Sequence, residues 1–566
     1  RIRNAYRKSS NEYSDLIPET FRTLKLPDDT LASASKIIES LPISNSRLDV
    51  KGLAFEEVVR NTFEKGDNQQ FFTPGSVSEF VVKMLGERIG KHVADPACGT
   101  GGFLVEILKQ GLPVEHVTGI EIDPRLSWTT RLNLLVHGCQ SFKVHTLDGT
   151  GTLSSSGLEF SKEFDTIITN PPFGSDLSDP EILSHFELGK EFTTRRRGIL
   201  FIERCLSLLR PKGRLAIIID DGVLSLPSTA DVRRFLLKNY VIEAIVSLPE
   251  NAFMPYANVN TSILFVKNER PTHGKPTFFA KVNNIGRKPN GDPDYLYDES
   301  GERFLNNELP DTIELWHDFL KTGRASSSAP QVFTSDLIAS TTDADNRIDF
   351  QYHHPSRFDA TRALAKSTNP IYSLFELCTE RKESIVPRTQ AETPTLRFTG
   401  LAHIESYTGR GIQVETPSAS LKSAVKKYYH GDILLARMRP NLRKCFLVDF
   451  EQPGYTSAEC IVLKPQENCH GNPIIDPVLL AVLLRSDLVY GQIIHKVAGI
   501  GRPRISLQDL RLIKIPVPDW EQQRALVTAY HQQVDAADAL KQEAKILTER
   551  ANDTMVDAIK SITSAI

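Results

Sequence analysis

Paired cysteines are the first thing this sequence lacks. Its seven cysteines (Cys98, Cys139, Cys205, Cys378, Cys445, Cys460 and Cys469) are odd in number, scattered, and include no C-x-x-C pair. That pattern excludes a disulfide framework and a zinc knuckle; no metal site is expected, and a reducing, cytoplasmic compartment is. Long apolar runs are missing too, none approaching the roughly 18 residues that span a bilayer, so no membrane association is expected. The stretch RIRNAYRKSSNEYSD has no apolar centre of the signal-peptide kind, and because it opens on Arg1 the true N-terminus is left open. No lysine followed by Ser or Thr closes a glycine loop, and no PD…(D/E)xK cluster occurs, so DNA cleavage or translocation would need other chains.

What is there is a chain of 566 residues, 40 % hydrophobic, long enough for about three or four globular domains. Its net charge of −3 is unevenly spread. Between Asn346 and Trp520 there are 23 Lys plus Arg against 17 Asp plus Glu, so that window carries +6 and the remainder −9. A locally basic region in an acidic protein is a pointer to nucleic acid, and equally compatible with solvated surface charge.

Texture divides the chain. Residues 1–50 read as helices and turns, with Leu16, Ile17, Phe21 and Leu24 in one apolar stretch and LASASKIIESL in a second. From about Lys51 to Val266, strand-length apolar runs alternate with amphipathic helices, the pattern of βαβ units on a parallel sheet, and after Lys267 the pattern degrades into Pro, Gly and Asn within a domain expected over 51–330. The strands are KHVADP, HVTGIEID, FDTIITN, RLAIIID, VIEAIVSLP and TSILFVK; Gly101–Gln110 and Leu200–Leu209 are among the helices. KTGRASSSAPQ, 321–331, reads as a flexible connection and marks a domain boundary. An irregular α/β segment follows over 331–520. From 521 to 566 one helix is expected, because Leu526, Tyr530, Val534, Ala537, Leu540, Ala544, Leu547, Ala551, Met555, Ala558 and Ile562 step by three or four without Pro or Gly. At 1.5 Å per residue it reaches roughly 60 Å, too long for a small domain to cover, which implies a partner helix; the alternative is a helix lying along its own protein.

Two stretches carry chemistry. In HVADPACGTGGF, Asp95, Gly99, Gly101 and Gly102 stand between a strand and a helix, where glycines let a ligand approach the backbone at the carboxyl edge of a parallel sheet. The loop fits neither a P-loop nor G-x-G-x-x-G. Glu121 closes the next strand about twenty residues on, the distance at which such folds hold ribose hydroxyls. A nucleoside without pyrophosphate, such as S-adenosylmethionine, is the economical ligand. In TIITNPPFGSD, a buried strand ends in Asn170 and two prolines, which leaves backbone acceptors outside regular structure. An ordinary sharp turn satisfies the same residues.

The order FFTP (71–74), DPACGTGGF (95–103), GIEID (119–123) and NPPF (170–173) resembles the amino-methyltransferases that modify adenine N6 in DNA. More narrowly it is similar, over roughly Leu53 to Lys267, to the modification subunit of type I restriction-modification systems, in the gamma-class arrangement. The resemblance implies a Rossmann-like class I S-adenosylmethionine-dependent methyltransferase fold over 51–330. By it, Phe72 and Thr73 close over the methionine end, and Asp95, Ala97, Gly99, Thr100 and Gly101 underlie the cofactor. Glu121 then binds the ribose, Ile122 packs on the adenine ring, and Asp148 meets its amino group; for Asp148 an ordinary turn residue is the alternative. Asn170 Oδ1 and the Pro171 carbonyl become acceptors for the two N–H groups of the target amine, with Pro171 and Pro172 keeping the turn rigid. Phe173 stacks on the extruded base, or else is a core aromatic at the sheet edge. Asn-Pro-Pro-aromatic also occurs in enzymes acting on protein glutamine and on RNA, so the motif alone does not choose the substrate.

The C-terminal half, with GDILLARMRPNLRKCFLV, GIGRPRISLQDLRLIKIPVPDWEQQ and the long helix, resembles one half of a type I specificity subunit. That implies a target-recognition domain over 331–520, a dimerisation helix over 521–566, a homodimer on a bipartite site in duplex DNA, and a separate restriction subunit as a possible further partner. Arg437, Arg439, Arg443, Lys444, Arg502 and Arg504, in Gly- and Pro-rich loops, are the expected DNA contacts, with solvated or internally paired arginines as the alternative. The function expected is site-specific DNA adenine-N6 methylation. An RNA or protein amino-methyltransferase and a non-enzymatic DNA-binding assembly subunit are the competing readings.

Overall fold

The computed structural model describes residues 2–12, 14, 17, 19, 22–39, 57, 73–250, 252–254, 259–341, 343–390, 393–467, 471–499 and 502–563. Near the N-terminus two helices are present, α1 (Ile2–Glu12) and α2 (Asp28–Glu39). Leu16 and Phe21, expected in the first apolar stretch, lie outside the described residues.

Ten strands form one sheet: β1 (His92–Asp95), β2 (His116–Glu121), β3 (Phe142–Thr146), β4 (Phe164–Thr169), β5 (Leu209–Asp220), β6 (Val241–Ser247), β7 (Thr261–Lys267), β8 (Thr277–Lys281), β9 (Ser327–Ser328) and β10 (Gln331–Ser335). Their spatial order is β3-β2-β1-β4-β5-β7-β6-β8-β10-β9. The core of the sheet is parallel, as the alternating texture predicts, but β7 runs antiparallel to both β5 and β6. Hydrophobic periodicity is the same for either direction, which is why TSILFVK could not be oriented from its residues. Strand β3 escaped the sequence reading for a related reason: it is an edge strand with Val144 alone buried, so it shows no apolar run.

Both faces of the sheet are covered. In β5, Ala216 and Ile218 point into one core and Leu215, Ile217 and Ile219 into the other; β7 splits Ile263 and Phe265 from Leu264 and Val266 in the same way. This period-two division is what a strand buried on both sides requires. The first core is closed by α3 (Gly75–Leu85), α4 (Gly102–Lys109) and Trp316 of α8 (Leu309–Thr322), whose indole N–H donates to the Met84 carbonyl at 2.7 Å. The second packs under α6 (Arg197–Leu208) and α7 (Ala230–Asn239), while α5 (Pro124–Val136) bridges β2 and β3.

The chain divides into two compact units, at His353 and His354, and not at 330. Residues 327–335 extend the sheet, and Phe333, Leu337, Ile348 and Phe350 are buried in the second core, so the expected flexible connection is part of the first unit. The second unit holds a four-stranded antiparallel sheet (Cys378–Glu380, Cys460–Pro465, Ile433–Ala436, Cys445–Leu447) and a five-stranded mixed sheet (Ser384–Ile385, Val425–Tyr428, Gly454–Ser457, Thr395–Thr399, Val414–Pro417). It ends in α9, a 44-residue helix from Trp520 to Thr563, about 66 Å long at 1.5 Å per residue. The helix is tied down near its start: Gln523 accepts the Asp476 N–H at 2.8 Å, Arg485 donates to the Tyr530 hydroxyl at 3.1 Å, and Arg410 pairs with Asp538. Every residue from 535 to 556 is exposed, including Leu540 (67 %) and Met555 (64 %), so the helix does not lie along its own unit there. Among the described residues no single helix is long and apolar enough to cross a membrane.

Candidate active site

Sheet order brings the two motifs together. Strands β1 and β4 are parallel neighbours, with Val93 opposite Thr166 and Ala94 opposite Ile167, so the glycine loop after β1 and the double-proline corner after β4 leave the sheet side by side. This is the point where strand order reverses, and α/β sheets bind ligands outside it.

The loop after β1 is pinned from α5. Asp123 caps that helix by accepting the Arg125 N–H at 2.8 Å, with Pro124 in its first turn. One face of α5 then presents Thr130, whose hydroxyl donates to the Gly99 carbonyl at 2.7 Å, and Asn133, whose amide donates to the Thr100 carbonyl at 3.0 Å. Gly101 stands at φ +85°, and a Cβ there would meet Thr130 Cγ2 at 2.9 Å, so the loop cannot close on its clamp with any larger residue. Gly99, at φ +55°, faces open space.

A buried acid and a half-buried one flank this loop. Asp95 is 2 % exposed, and burial pushes its carboxyl up to about 7, partly offset by the Ala97 N–H that donates to it at 3.1 Å. Glu121 is also raised by burial. Its carboxylate accepts the Gly99 N–H at 2.9 Å, the Ile122 N–H at 2.8 Å and the Asp123 N–H at 3.0 Å, which binds the acid at the end of β2 directly to the glycine loop.

At the corner after β4, Asn170 donates through Nδ2 to the Thr73 hydroxyl at 3.0 Å, while its Oδ1 is buried and has no hydrogen-bond partner among the described residues. No described residue donates to the Pro171 carbonyl. A cavity of about 90 Å³ lies between Asn170, Thr73, Asp95, Gly99 and Phe103. A larger one, about 370 Å³, runs from Asn170, Pro171 and Pro172 along Ala97 and Gly99 to Glu121, Ile122 and Leu126. Corner and glycine loop therefore share one cleft.

Most of the residues singled out from the sequence converge there: Thr73, Asp95, Ala97, Gly99, Thr100, Glu121, Ile122, Asn170, Pro171 and Pro172 line one cavity or the other. Gly101 sits beneath as the cap of α4. Phe72 lies outside the described residues. Asp148 is exposed and lines neither cavity. Phe173 is half-buried, edge-on to Phe253 at 5.8 Å, and packs against the first core. Sequence reading missed Leu126, Thr150, Thr152, Leu153, Arg197 and Phe201 of the larger cavity. Asp123-Pro124 could have signalled the start of α5 and hence Leu126, Thr130 and Asn133 on one face; nothing local marks the others.

In the second unit the six expected DNA contacts separate into two sorts. Arg504 is held by Glu459 with bonds of 2.6 and 2.9 Å, Arg443 pairs with Asp487 at 2.6 Å between the rings of Tyr407 and Tyr490, Lys444 donates to the Leu401 carbonyl at 2.6 Å, and Arg437 to the Ile505 carbonyl at 3.1 Å. Arg439 and Arg502 are exposed.

Comparison with known proteins agrees with this geometry. Residues 46–309 match the family model for N-6 DNA methylase. The methylase subunit of the type I restriction enzyme EcoEI of Escherichia coli is 32 % identical over 236 residues, 39 % of this chain and 47 % of that protein. A tRNA (guanine(10)-N2)-dimethyltransferase of Methanothermobacter thermautotrophicus is 37 % identical over 112 residues, 19 % of this chain and 31 % of that one. Among solved structures, a type I restriction-modification methyltransferase subunit from Streptococcus thermophilus is similar with TM-score 0.42 at 18 % identity, over 51 % of this chain and 62 % of that one. The chain spans about half the length of the curated type I relatives it matches, 47 % of the E. coli protein. The mixed α/β sheet is Rossmann-like, with its cleft at the point where strand order reverses, and residues 46–309, a little under half of the chain, match the N-6 DNA methylase family model.

Proposed function

We propose that this chain is a site-specific DNA methyltransferase that moves a methyl group from S-adenosylmethionine to N6 of an adenine turned out of duplex DNA. The observation that carries the reading is Asn170 Oδ1: buried, unpartnered, and in the wall of a cleft that continues to Glu121. A buried amide oxygen without a donor is costly to keep unless a ligand supplies one.

The cavity residues fit the cofactor. Glu121 offers carboxylate oxygens to ribose hydroxyls, Ile122 and Leu126 offer apolar surface to a purine, and the open side of Gly99 admits close approach. When bound there, S-adenosylmethionine supplies an electrophilic methyl group on a positively charged sulfur. The chain's own residues prepare the acceptor. An aromatic amine is a poor nucleophile because its lone pair is delocalised into the ring. Asn170 Oδ1 and the Pro171 carbonyl accept its two N–H bonds, which draws the nitrogen toward tetrahedral geometry and frees the lone pair; the prolines hold both oxygens in place. One of those protons is lost when the nitrogen gains its methyl group. An amide oxygen and a peptide carbonyl are too weakly basic to keep it, so it passes to solvent.

DNA as substrate is supported by the family match over 46–309 and by the exposed Arg439 and Arg502 of the second unit. A homodimer through α9, with each copy's second unit reading half of a bipartite site, is supported by the exposed seam beyond Asp538. A separate restriction subunit would supply any cleavage. The test is methyl transfer from labelled cofactor to duplex DNA, RNA and protein in parallel. Label on DNA adenine is expected, abolished in Asn170→Ala with cofactor binding retained. Label confined to RNA or protein, or full turnover by Asn170→Ala, would falsify the assignment.

A further inference from the structure

The chain enters α6 through three consecutive arginines, Arg195, Arg196 and Arg197, with no acid in the first turn of the helix. Positive charge there faces the positive end of the helix dipole, so each guanidinium needs compensation. Arg195 has Asp231 and Arg196 has Asp220, the latter at 2.8 Å. Arg197 has no acidic partner among the described residues, and its Nε is buried without a hydrogen-bond partner. Its backbone N–H is already spent on the Ser175 carbonyl at 2.9 Å, continuing the short pairing of Asp176–Leu177 with Arg195–Arg196 that fixes where α6 begins.

Arg197 lines the larger cavity together with Phe201, one turn further along α6, and with Ile122 and Leu126 from the β2–α5 connection. Leaving a desolvated guanidinium N–H without an acceptor is costly, and a ligand in this cavity would supply one. The cavity that would bring it is the one with Glu121 at its edge. A phosphate is a poor match, because the cofactor read into this cavity carries none and the backbone of a DNA strand stays in solvent. The ring nitrogens of a purine are acceptors that lie in the plane a guanidinium fork can reach. We infer that Arg197 is a nucleoside-recognition residue, donating to a ring nitrogen of the purine carried by the cofactor. The inference rests on the reading of this cavity as the S-adenosylmethionine site.

Calorimetric titration without DNA tests it, using wild type, Arg197→Lys and Arg197→Met against S-adenosylhomocysteine and its 1-deaza, 3-deaza and 7-deaza purine analogues. Wild type should lose about tenfold or more in affinity for one of the three analogues, as expected for a hydrogen bond to a charged donor. Arg197→Met should bind the parent compound about that much more weakly and no longer distinguish that analogue. Lysine, a point charge without the planar fork, should recover only part of the affinity. Equal binding of all four compounds by wild type overturns the inference even if the Met variant fails to fold. So does a Met variant that keeps wild-type affinity for S-adenosylhomocysteine; if that variant loses affinity in a separate titration with duplex DNA, Arg197 belongs to the acceptor strand. Failure of wild type to bind any of the four would sink the reading of the cavity along with it.

Discussion

Asn170 Nδ2 lies 3.0 Å from Thr73 Oγ1, joining the double-proline corner to the entry of α3 across 97 positions of sequence. A carboxamide has a donor end and an acceptor end, and holding the donor end on a hydroxyl fixes where the acceptor points. Thr73 thus orients Asn170 Oδ1, which has no partner among the described residues.

Removing that hydroxyl should therefore act on turnover. Thr73→Val is expected to lower kcat by about tenfold or more while Asn170 stays in place, and Thr73→Ser to restore it. Steady-state kinetics decides; a Val variant altered only in KM would show that Thr73 contributes binding and no orientation.

Asp95 carries a pH signature. Its folded-state carboxyl is raised to about 7 by burial, far above the usual value of about 3.9, so the folded chain holds a proton that the unfolded chain releases. The stability this gives is fully present below about pH 4 and is lost as pH rises through about 7, on the order of a few kcal/mol. Asp95→Asn should flatten that slope and unfold at a higher temperature than wild type at pH 8. Thermal unfolding from pH 4 to 8 measures it, and parallel curves for the two proteins would refute it. Affinity for a cationic cofactor should rise over the same window, since the carboxylate form favours it.

The arginines of the second unit should divide by their exposure. Arg439→Ala and Arg502→Ala are expected to weaken DNA binding and to reduce the salt dependence by about one counterion each. Arg443→Ala removes an ion pair and contacts with two tyrosine rings, so its first effect should be a lower unfolding temperature, about 1–2 kcal/mol. Binding titrations at several salt concentrations, beside thermal melts, separate the two classes.

Leu540 and Leu547 stand on the exposed seam of α9, 67 % and 57 % accessible. Replacing both by Glu should turn a dimer into a monomer in analytical ultracentrifugation without changing cofactor affinity. A wild-type protein that is monomeric at every concentration, with and without DNA, would remove the dimer from the proposal.

Much of this was readable along the chain because it is local. A strand buried on both faces needs an apolar run, the glycine loop needs positive φ at Gly99 and Gly101, and Asn170-Pro171-Pro172 cannot continue regular structure. Reading failed where the deciding contact was distant. The 321–331 stretch is Ser- and Gly-rich like a linker, yet Ser327–Ser328 pairs with Gln331–Ser335 at the sheet edge. The ion pair of Arg504 with Glu459, 45 positions away, is likewise invisible from its own loop.

By itself, then, the order of residues determined the α/β class, the placement of motifs on strand ends, and the chemical types available, since these follow from periodicity and backbone stereochemistry. Only the tertiary structure decided that β1 and β4 are neighbours, that Thr73 leaves Asn170 one unclaimed oxygen, and that Arg197 stands in the same cavity as Glu121. Those relationships are set by which strands pair and which helix faces pack, and pairing and packing join positions that carry no trace of one another in the chain.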